Sequence, residues 1–148
     1  MLGSGPAPRY GHNAMSCASF SSPIACALVA AGGALGSLAR YLVGEALAGL
    51  TGADGFPWAL LTINTAGSLG MGLLFGWFYA HGGGTETQRL LLGVGLLGGF
   101  TTFSAFSLET LLLIERGASA LAFGFIAASV IAGVAALYLG LMITGPSR

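Results

Sequence analysis

The sequence predicts an all-α membrane protein with four transmembrane helices. Of its 148 residues, 55% are hydrophobic and 7% are charged, and the mean hydropathy is +0.85. A soluble globular domain carries far more charge on its surface, so this composition excludes one. Four apolar runs are separated by short polar stretches, and each is long enough to supply the roughly 20 helical residues that cross a hydrocarbon core.

The first span is predicted at residues 24–50. Residues 1–23 contain glycine, proline and serine but no apolar run, so they predict a disordered leader, in which either Met1 or Met15 is the start. The first apolar run is too long for a signal peptide, and we expect it to be retained. It contains Arg40 near its final third. An arginine at membrane depth marks an ion path, an interior partner or a vestibule, or else it reaches the nearby interface.

The second span, predicted at residues 58–79, contains no charged residue. Its polar side chains cluster as Thr62, Asn64, Thr65 and Ser68. Asn64 is the costly one, because an amide in hydrocarbon must find a partner or face an aqueous path. It is therefore either part of a pathway or a polar contact between packed helices.

The third span, predicted at residues 90–114, contains the most unusual stretch of the chain, GGFTTFSAFS at residues 98–107. Two adjacent glycines and two β-branched threonines disfavour a continuous helix, so we expect this helix to break at its centre, within residues 98–102. Carbonyls freed inside a membrane are tolerated where they are buried in protein, line a cavity or coordinate an ion. Phe103 and Phe106 lie three residues apart and share one helix face. The alternative is a glycine-flexed, well-packed helix with ordinary phenylalanines.

The fourth span is predicted at residues 118–143, followed by a short tail at residues 144–148. It is uncharged, and Ser129 and Tyr138 are its notable polar residues. Pairs of small residues four apart recur along the chain and predict close helix packing and oligomerisation. No cluster of histidine, cysteine or carboxylate suggests an enzyme. The chain has no lysine, which argues against a nucleic-acid footprint or a polybasic lipid-binding segment.

The distribution of arginine does not decide the orientation of the chain. With both termini on one side of the membrane, that side holds Arg9, Arg89 and Arg148, and the other holds Arg116 and, if it reaches the interface, Arg40. Arg9 lies at the edge of the distance over which loop charges count, so the effective bias is nearly balanced. A chain without bias can insert both ways, which makes an antiparallel homodimer possible.

Three groups of residues resemble the small bacterial fluoride channels of the Fluc (CrcB) family. They are GGALGSLARY at residues 32–41, Asn64, and the highly specific GGFTTFSAFSLE at residues 98–109. The resemblance covers about residues 24–143. It implies a passive, fluoride-selective channel that lowers cytoplasmic fluoride, works in the inner membrane of a bacterium and forms an antiparallel, dual-topology homodimer with two ion pathways.

The same resemblance implies the functional residues. Backbone carbonyls of Gly98 and Thr101 from both chains would hold a structural sodium ion on the dimer axis, and Arg40 would be a vestibule cation. Aromatic rings have positive edges, and amides and hydroxyls can donate hydrogen bonds, so such groups bind a small anion without trapping it. The fluoride pathway would be lined by Asn64, Thr102, Phe103, Ser104, Phe106 and Ser129.

Two positions depart from the family pattern. Ala105 stands where the family usually has threonine, which removes a hydroxyl near the pathway. Phe125 stands where tyrosine is expected, one turn before Ser129.

A small proton-coupled multidrug exporter is the alternative function, because it also uses four helices and dual topology. Such a carrier needs a membrane-embedded carboxylate, whereas the carboxylates of this sequence fall at predicted helix ends.

Overall fold

The computed structural model describes residues 22–50 and 55–146, and every regular element within them is helical. All but the last two residues of the predicted leader lie outside this part, including both candidate start residues and Arg9. The end of the predicted tail, residues 147–148, also lies outside it.

Four helical segments are long and apolar enough to cross a membrane. Helix α1 (Pro23–Leu47) is followed by a 3-10 turn (Ala48–Leu50), and helix α2 is Trp58–Ala80. The third span covers Glu86–Glu115, and the last helix, α6, is Ser119–Thr144. The prediction of an all-helical chain with four candidate membrane spans is therefore confirmed.

The third span is not a uniform α-helix. It begins ahead of the predicted residue 90, because Thr85 and Gln88 form a capping box in which each side chain bonds the other residue's backbone N–H. Within the span the backbone N–H of Gly98 reaches back to the carbonyl of Gly93, the spacing of a π-helix. In chain order the segments are α3 (Glu86–Gln88), a π-helical segment (Arg89–Leu97), α4 (Gly98–Phe100) and α5 (Phe103–Glu115).

The spans pack as two principal pairs, α1 with the π-helical segment and α4, and α2 with α6. Glycines make both approaches close. A Cβ added at Gly36 would overlap the carbonyl oxygen of Leu96, and one added at Gly140 would lie 2.6 Å from the carbonyl oxygen of Leu69. Small residues therefore bring helices of the same chain together.

The buried core is small and lies where α5 and α6 meet the chain before α2. Its cluster of buried residues consists of Phe56, Leu113, Ala122 and Phe125, and the Phe125 side chain is completely buried. Ile63 and Phe78 are also buried but lie outside this cluster. Many large apolar side chains on all four spans are exposed on the single chain. This outward apolar surface suits lipid or a second protein chain.

Candidate functional site

The candidate site is built around two extended residues between α4 and α5. Thr101 has φ −90° and ψ 152°, and Thr102 has φ −148° and ψ 126°, whereas Gly98 keeps helical angles. Both threonines are β-branched and lose side-chain freedom in a helix, which favours extended backbone at their positions. The Thr102 hydroxyl oxygen accepts a hydrogen bond from the Ala105 N–H at 3.4 Å and so caps the start of α5.

Asn64 of α2 binds the backbone of Thr102 at two points. The Thr102 N–H donates to Asn64 Oδ1 at 3.1 Å, and Asn64 Nδ2 donates to the Thr102 carbonyl oxygen at 3.4 Å. The planar amide thus pairs with an extended residue as a neighbouring β-strand would. Since the amide nitrogen has two hydrogens, one is left for another acceptor.

These hydrogen bonds remove the helical donors from two carbonyls. In an uninterrupted α-helix the Thr102 N–H would donate to the Gly98 carbonyl and the Ala105 N–H to the Thr101 carbonyl. Here those donors are bound by Asn64 Oδ1 and Thr102 Oγ1. The carbonyl oxygens of Gly98 and Thr101 are consequently available to another electropositive partner, and Gly98 is exposed on the single chain.

The intervening carbonyl, that of Gly99, is bound by α1. It accepts hydrogen bonds from Arg40 Nε at 3.3 Å and from Ser37 Oγ at 3.5 Å. Arg40 is half-buried, so one edge of its guanidinium is anchored beside the interruption. The predicted vestibule cation therefore also ties α1 to the third span.

A cavity of about 270 Å³ opens where α2, α5 and α6 meet the two extended threonines. Among the candidate pathway residues, those that line it are Asn64, Thr102, Phe103, Phe106 and Ser129. None of the described residues that line the cavity is charged.

Ser104, the remaining candidate pathway residue, lies beside the cavity wall. Its Oγ is 3.0 Å from Thr102 Oγ1, and either hydroxyl can be the donor. Ser68 lines the cavity and was not predicted as a site residue. The signal for Ser68 was present in the sequence, because it lies one helical turn after Asn64 in the same polar cluster.

The hydroxyl of Ser129 is the most suggestive polar group in the wall. Among the described residues its Oγ is buried and has no hydrogen-bond partner. A buried polar atom without a partner is costly, and native proteins usually retain one only where a ligand or water completes it.

The aromatic rings form a connected row from the cavity to the core. The ring centroids of Phe103 and Phe106 are 5.4 Å apart, and those of Phe106 and Phe125 are 5.3 Å apart. Phe125 meets Phe56 edge to face at 5.7 Å. Phe106 is thus supported from behind, whereas Phe103 is 79% exposed on the single chain. Phe125 fills the core where tyrosine was expected.

Fold and site together define a four-span, multi-pass membrane protein with an uncharged polar cavity beside an interruption of its third span. A family model described as "CrcB-like protein, Camphor Resistance (CrcB)" matches residues 27–141. The chain belongs to this family, as its sequence motifs predicted.

Curated relatives are similar over most of their length. The chain is 53% identical over 120 residues to "Fluoride-specific ion channel FluC" of Novosphingobium aromaticivorans, covering 80% of this chain and 94% of the relative. It is 56% identical over 117 residues to the protein of the same name from Caulobacter sp. strain K31, covering 78% and 91%. A third relative with that name, from Caulobacter vibrioides strain NA1000, is 53% identical over 118 residues.

Proposed function

We propose that this chain is a passive, fluoride-selective ion channel that lowers cytoplasmic fluoride, rather than an enzyme. The observation that carries the proposal is the uncharged cavity of hydrogen-bond donors and aromatic rings at the interrupted third span. Membership of a family whose curated relatives are named fluoride-specific ion channels supports it. Because these relatives are bacterial, the proposed location is the inner membrane of a bacterium.

The cavity chemistry suits a small anion that has shed water. Such an ion needs donors to replace its hydration, and the Ser129 hydroxyl and the second Asn64 amide hydrogen are available. The hydroxyl pair of Thr102 and Ser104 has one further hydrogen to offer, since only one is used between them. Phenylalanine ring edges add weak positive potential. Neutral groups bind weakly enough for the ion to leave again.

A structural sodium ion fits the carbonyls of Gly98 and Thr101. Carbonyl oxygens are hard ligands that can replace the hydration shell of a monovalent cation. These two have lost their helical donors, whereas the Gly99 carbonyl between them is bound by Arg40 and Ser37. When bound, the ion would satisfy the two carbonyls that the chain itself leaves open.

An antiparallel, dual-topology homodimer would complete both sites. Two carbonyls from one chain coordinate a cation only in part, and a second copy related by a two-fold axis would supply the same two again. Gly98 and Phe103 are both exposed on the single chain, where a partner could cover them. The nearly balanced arginines permit both orientations.

The exporter alternative is disfavoured by the cavity. Proton-coupled export of a cation requires a carboxylate in the substrate site. Glu109 lies within α5, but it is not among the described residues that line the cavity.

Efflux of fluoride from liposomes tests the proposal. Purified protein should release fluoride down its own gradient with equal protons and sodium on both sides, and should not move a lipophilic cation. Fluoride movement that requires a proton or sodium gradient would overturn passive conduction, and proton-driven movement of the cation would favour the exporter.

A further inference from the structure

We infer that Asn64 is a positioning residue for the cation site, acting through the backbone of Thr102 rather than by touching the ion. This inference rests on the proposed function, since it concerns the proposed sodium ion. It assigns Asn64 a second role, distinct from offering an amide hydrogen to an anion.

The first step is the geometry of the two hydrogen bonds between the Asn64 side chain and the Thr102 backbone, which we call the clamp. Asn64 Oδ1 and Nδ2 bind the N–H and the carbonyl of the same residue, Thr102, at 3.1 and 3.4 Å. Two bonds from one planar group fix both the position and the tilt of that residue's backbone, which a single bond would not. The clamp starts from a well-formed helix, α2, so its position is set by a rigid element.

The second step is what the backbone would do without the clamp. Released from Asn64, the Thr102 N–H would be left without an acceptor, and the nearest helical one is the Gly98 carbonyl. The intrinsic helix propensity of threonine is only about 0.7 kcal/mol poorer than that of alanine, less than the cost of leaving an N–H unpaired away from water. The Thr102 N–H is half-buried, so pairing within the chain is favoured. Helical geometry would therefore extend through Thr101, and the Gly98 carbonyl would be used within the chain.

The third step is that neighbouring contacts determine which carbonyls remain available to an ion. Arg40 and Ser37 bind the Gly99 carbonyl, and the Thr102 hydroxyl binds the Ala105 N–H. The chain thus withholds Gly99 from an ion and presents Gly98 and Thr101. Of these contacts, only the one made by Asn64 determines whether the Gly98 carbonyl is free.

Sodium-dependent thermal stability of the purified full-length protein tests the clamp. Asn64→Ala should raise the sodium concentration for half-maximal stabilisation by about tenfold or more, the effect of losing two hydrogen bonds. Ser68→Ala and Ser129→Ala are matched controls, because both residues line the same cavity but neither hydroxyl has a hydrogen bond to Thr102 among the described residues. Both controls should stay within about twofold of the wild type, well under the tenfold expected for the clamp.

Asn64→Asp gives a second test, which can be used even if the alanine variant does not fold. It keeps the oxygen acceptor for the Thr102 N–H, the bond that frees the Gly98 carbonyl, but loses the donor to the Thr102 carbonyl. Sodium should therefore still stabilise this variant, with a half-maximal concentration raised by less than about tenfold. Fluoride flux should fall, because the amide donor is replaced by a negative charge. Loss of sodium stabilisation in this variant would overturn the inference.

A backbone measurement separates the clamp from a general loss of stability. Carbon chemical shifts of Thr101 and Thr102 should report extended backbone in the wild type and helical backbone in Asn64→Ala. Extended shifts together with unchanged sodium dependence in Asn64→Ala would overturn the inference and leave the channel proposal intact. Absence of sodium-specific stabilisation in the wild type would instead overturn the proposed sodium site, and the inference with it.

Discussion

At the scale of single residues, the polar groups around the cavity differ in whether the chain already uses their hydrogens. The Ser68 hydroxyl donates to the Asn64 carbonyl at 2.8 Å, and the Thr101 hydroxyl donates to the Leu97 carbonyl at 3.0 Å. The Ser129 hydroxyl has no partner among the described residues. The donors that remain for an anion are therefore fewer than the number of hydroxyls suggests.

Ser129→Ala tests the most available of these donors. Removing a buried, unpartnered hydroxyl should leave the free energy of unfolding unchanged or slightly raised, because no intramolecular hydrogen bond is lost. Fluoride flux should fall by about tenfold if the lost bond was worth about 1.4 kcal/mol at the barrier. Ser107→Ala is the control, since that exposed hydroxyl donates to the Phe103 carbonyl within its own helix. Equal flux in both variants would remove Ser129 from the pathway.

Replacing the cavity phenylalanines with isoleucine tests the ring edges. Phe106→Ile should cost about 1 to 3 kcal/mol of stability through its packing on Phe125. Phe103→Ile should cost less, because the Phe103 ring is exposed on the single chain. Both should reduce flux about five- to a hundredfold, since an edge interaction of about 1 to 3 kcal/mol is lost. Flux from liposomes and thermal melting separate the two effects.

Phe123→Ile is the matched control for these variants. Its ring is 72% exposed on α6 and is not among the described residues that line the cavity. Wild-type fluoride flux in Phe103→Ile and Phe106→Ile would mean that both rings are ordinary packing residues and do not contribute to the pathway.

The sequence could predict most of these residues but not their arrangement. An amide or a hydroxyl in an apolar span is conspicuous, so Asn64 and Ser129 were candidates from polarity alone. The pairing of Asn64 with Thr102 joins residues 38 apart and depends on how two spans pack, which local patterns do not report. Ser68 was not predicted as a site residue, because a serine in an apolar helix commonly bonds only the carbonyl one turn earlier. Ser68 makes that bond and also lines the cavity, which the sequence alone does not show.

At the scale of elements, the third span differs from its neighbours in backbone geometry. Glycine and threonine content predicted where the helix would be weak, and the extended residues lie at the threonine end of that stretch. The π-helical segment Arg89–Leu97 was not predicted. This segment packs closely against α1 at Gly32 and Gly36, and local sequence propensities contain no signal for such a contact between separate spans.

Gly36→Ala tests that contact. The new Cβ would overlap the Leu96 carbonyl and displace α1 from the π-helical segment, which should cost about 2 kcal/mol or more. Gly124→Ala on α6 is the control, because nothing lies within 4 Å of its added Cβ, and alanine is the better helix former. Thermal melting should show a lower midpoint only for Gly36→Ala. Equal melting midpoints for the two variants would mean that α1 and the π-helical segment accommodate the added methyl group without loss of stability.

At the scale of the whole molecule, the single chain leaves residues of the candidate site exposed. Phe103 and Gly98 are exposed, and the spans expose many large apolar side chains. Because the chain has four spans, both ends of the membrane domain lie on the same side of the membrane. The chain can therefore insert in only two orientations. The arginines set no strong preference for either side.

Cysteine labelling tests dual topology directly. His81→Cys, in a background with Cys17 and Cys26 replaced by serine, places a thiol in the exposed turn after α2. A membrane-impermeant reagent applied to sealed vesicles should label about half of the chains, as expected when both orientations are equally populated. Permeabilising the vesicles should label the rest. Labelling of all chains, or of none, before permeabilisation would exclude the antiparallel homodimer.

The ratio of fluoride to chloride efflux from the same proteoliposomes tests the central claim most directly. Channels formed by this chain should empty fluoride from the vesicles while chloride stays at the leak rate of protein-free vesicles. That result is expected because the cavity offers only a few donors, all of them neutral, and these suit a small anion that has shed its water. Chloride efflux as fast as fluoride efflux would contradict the account.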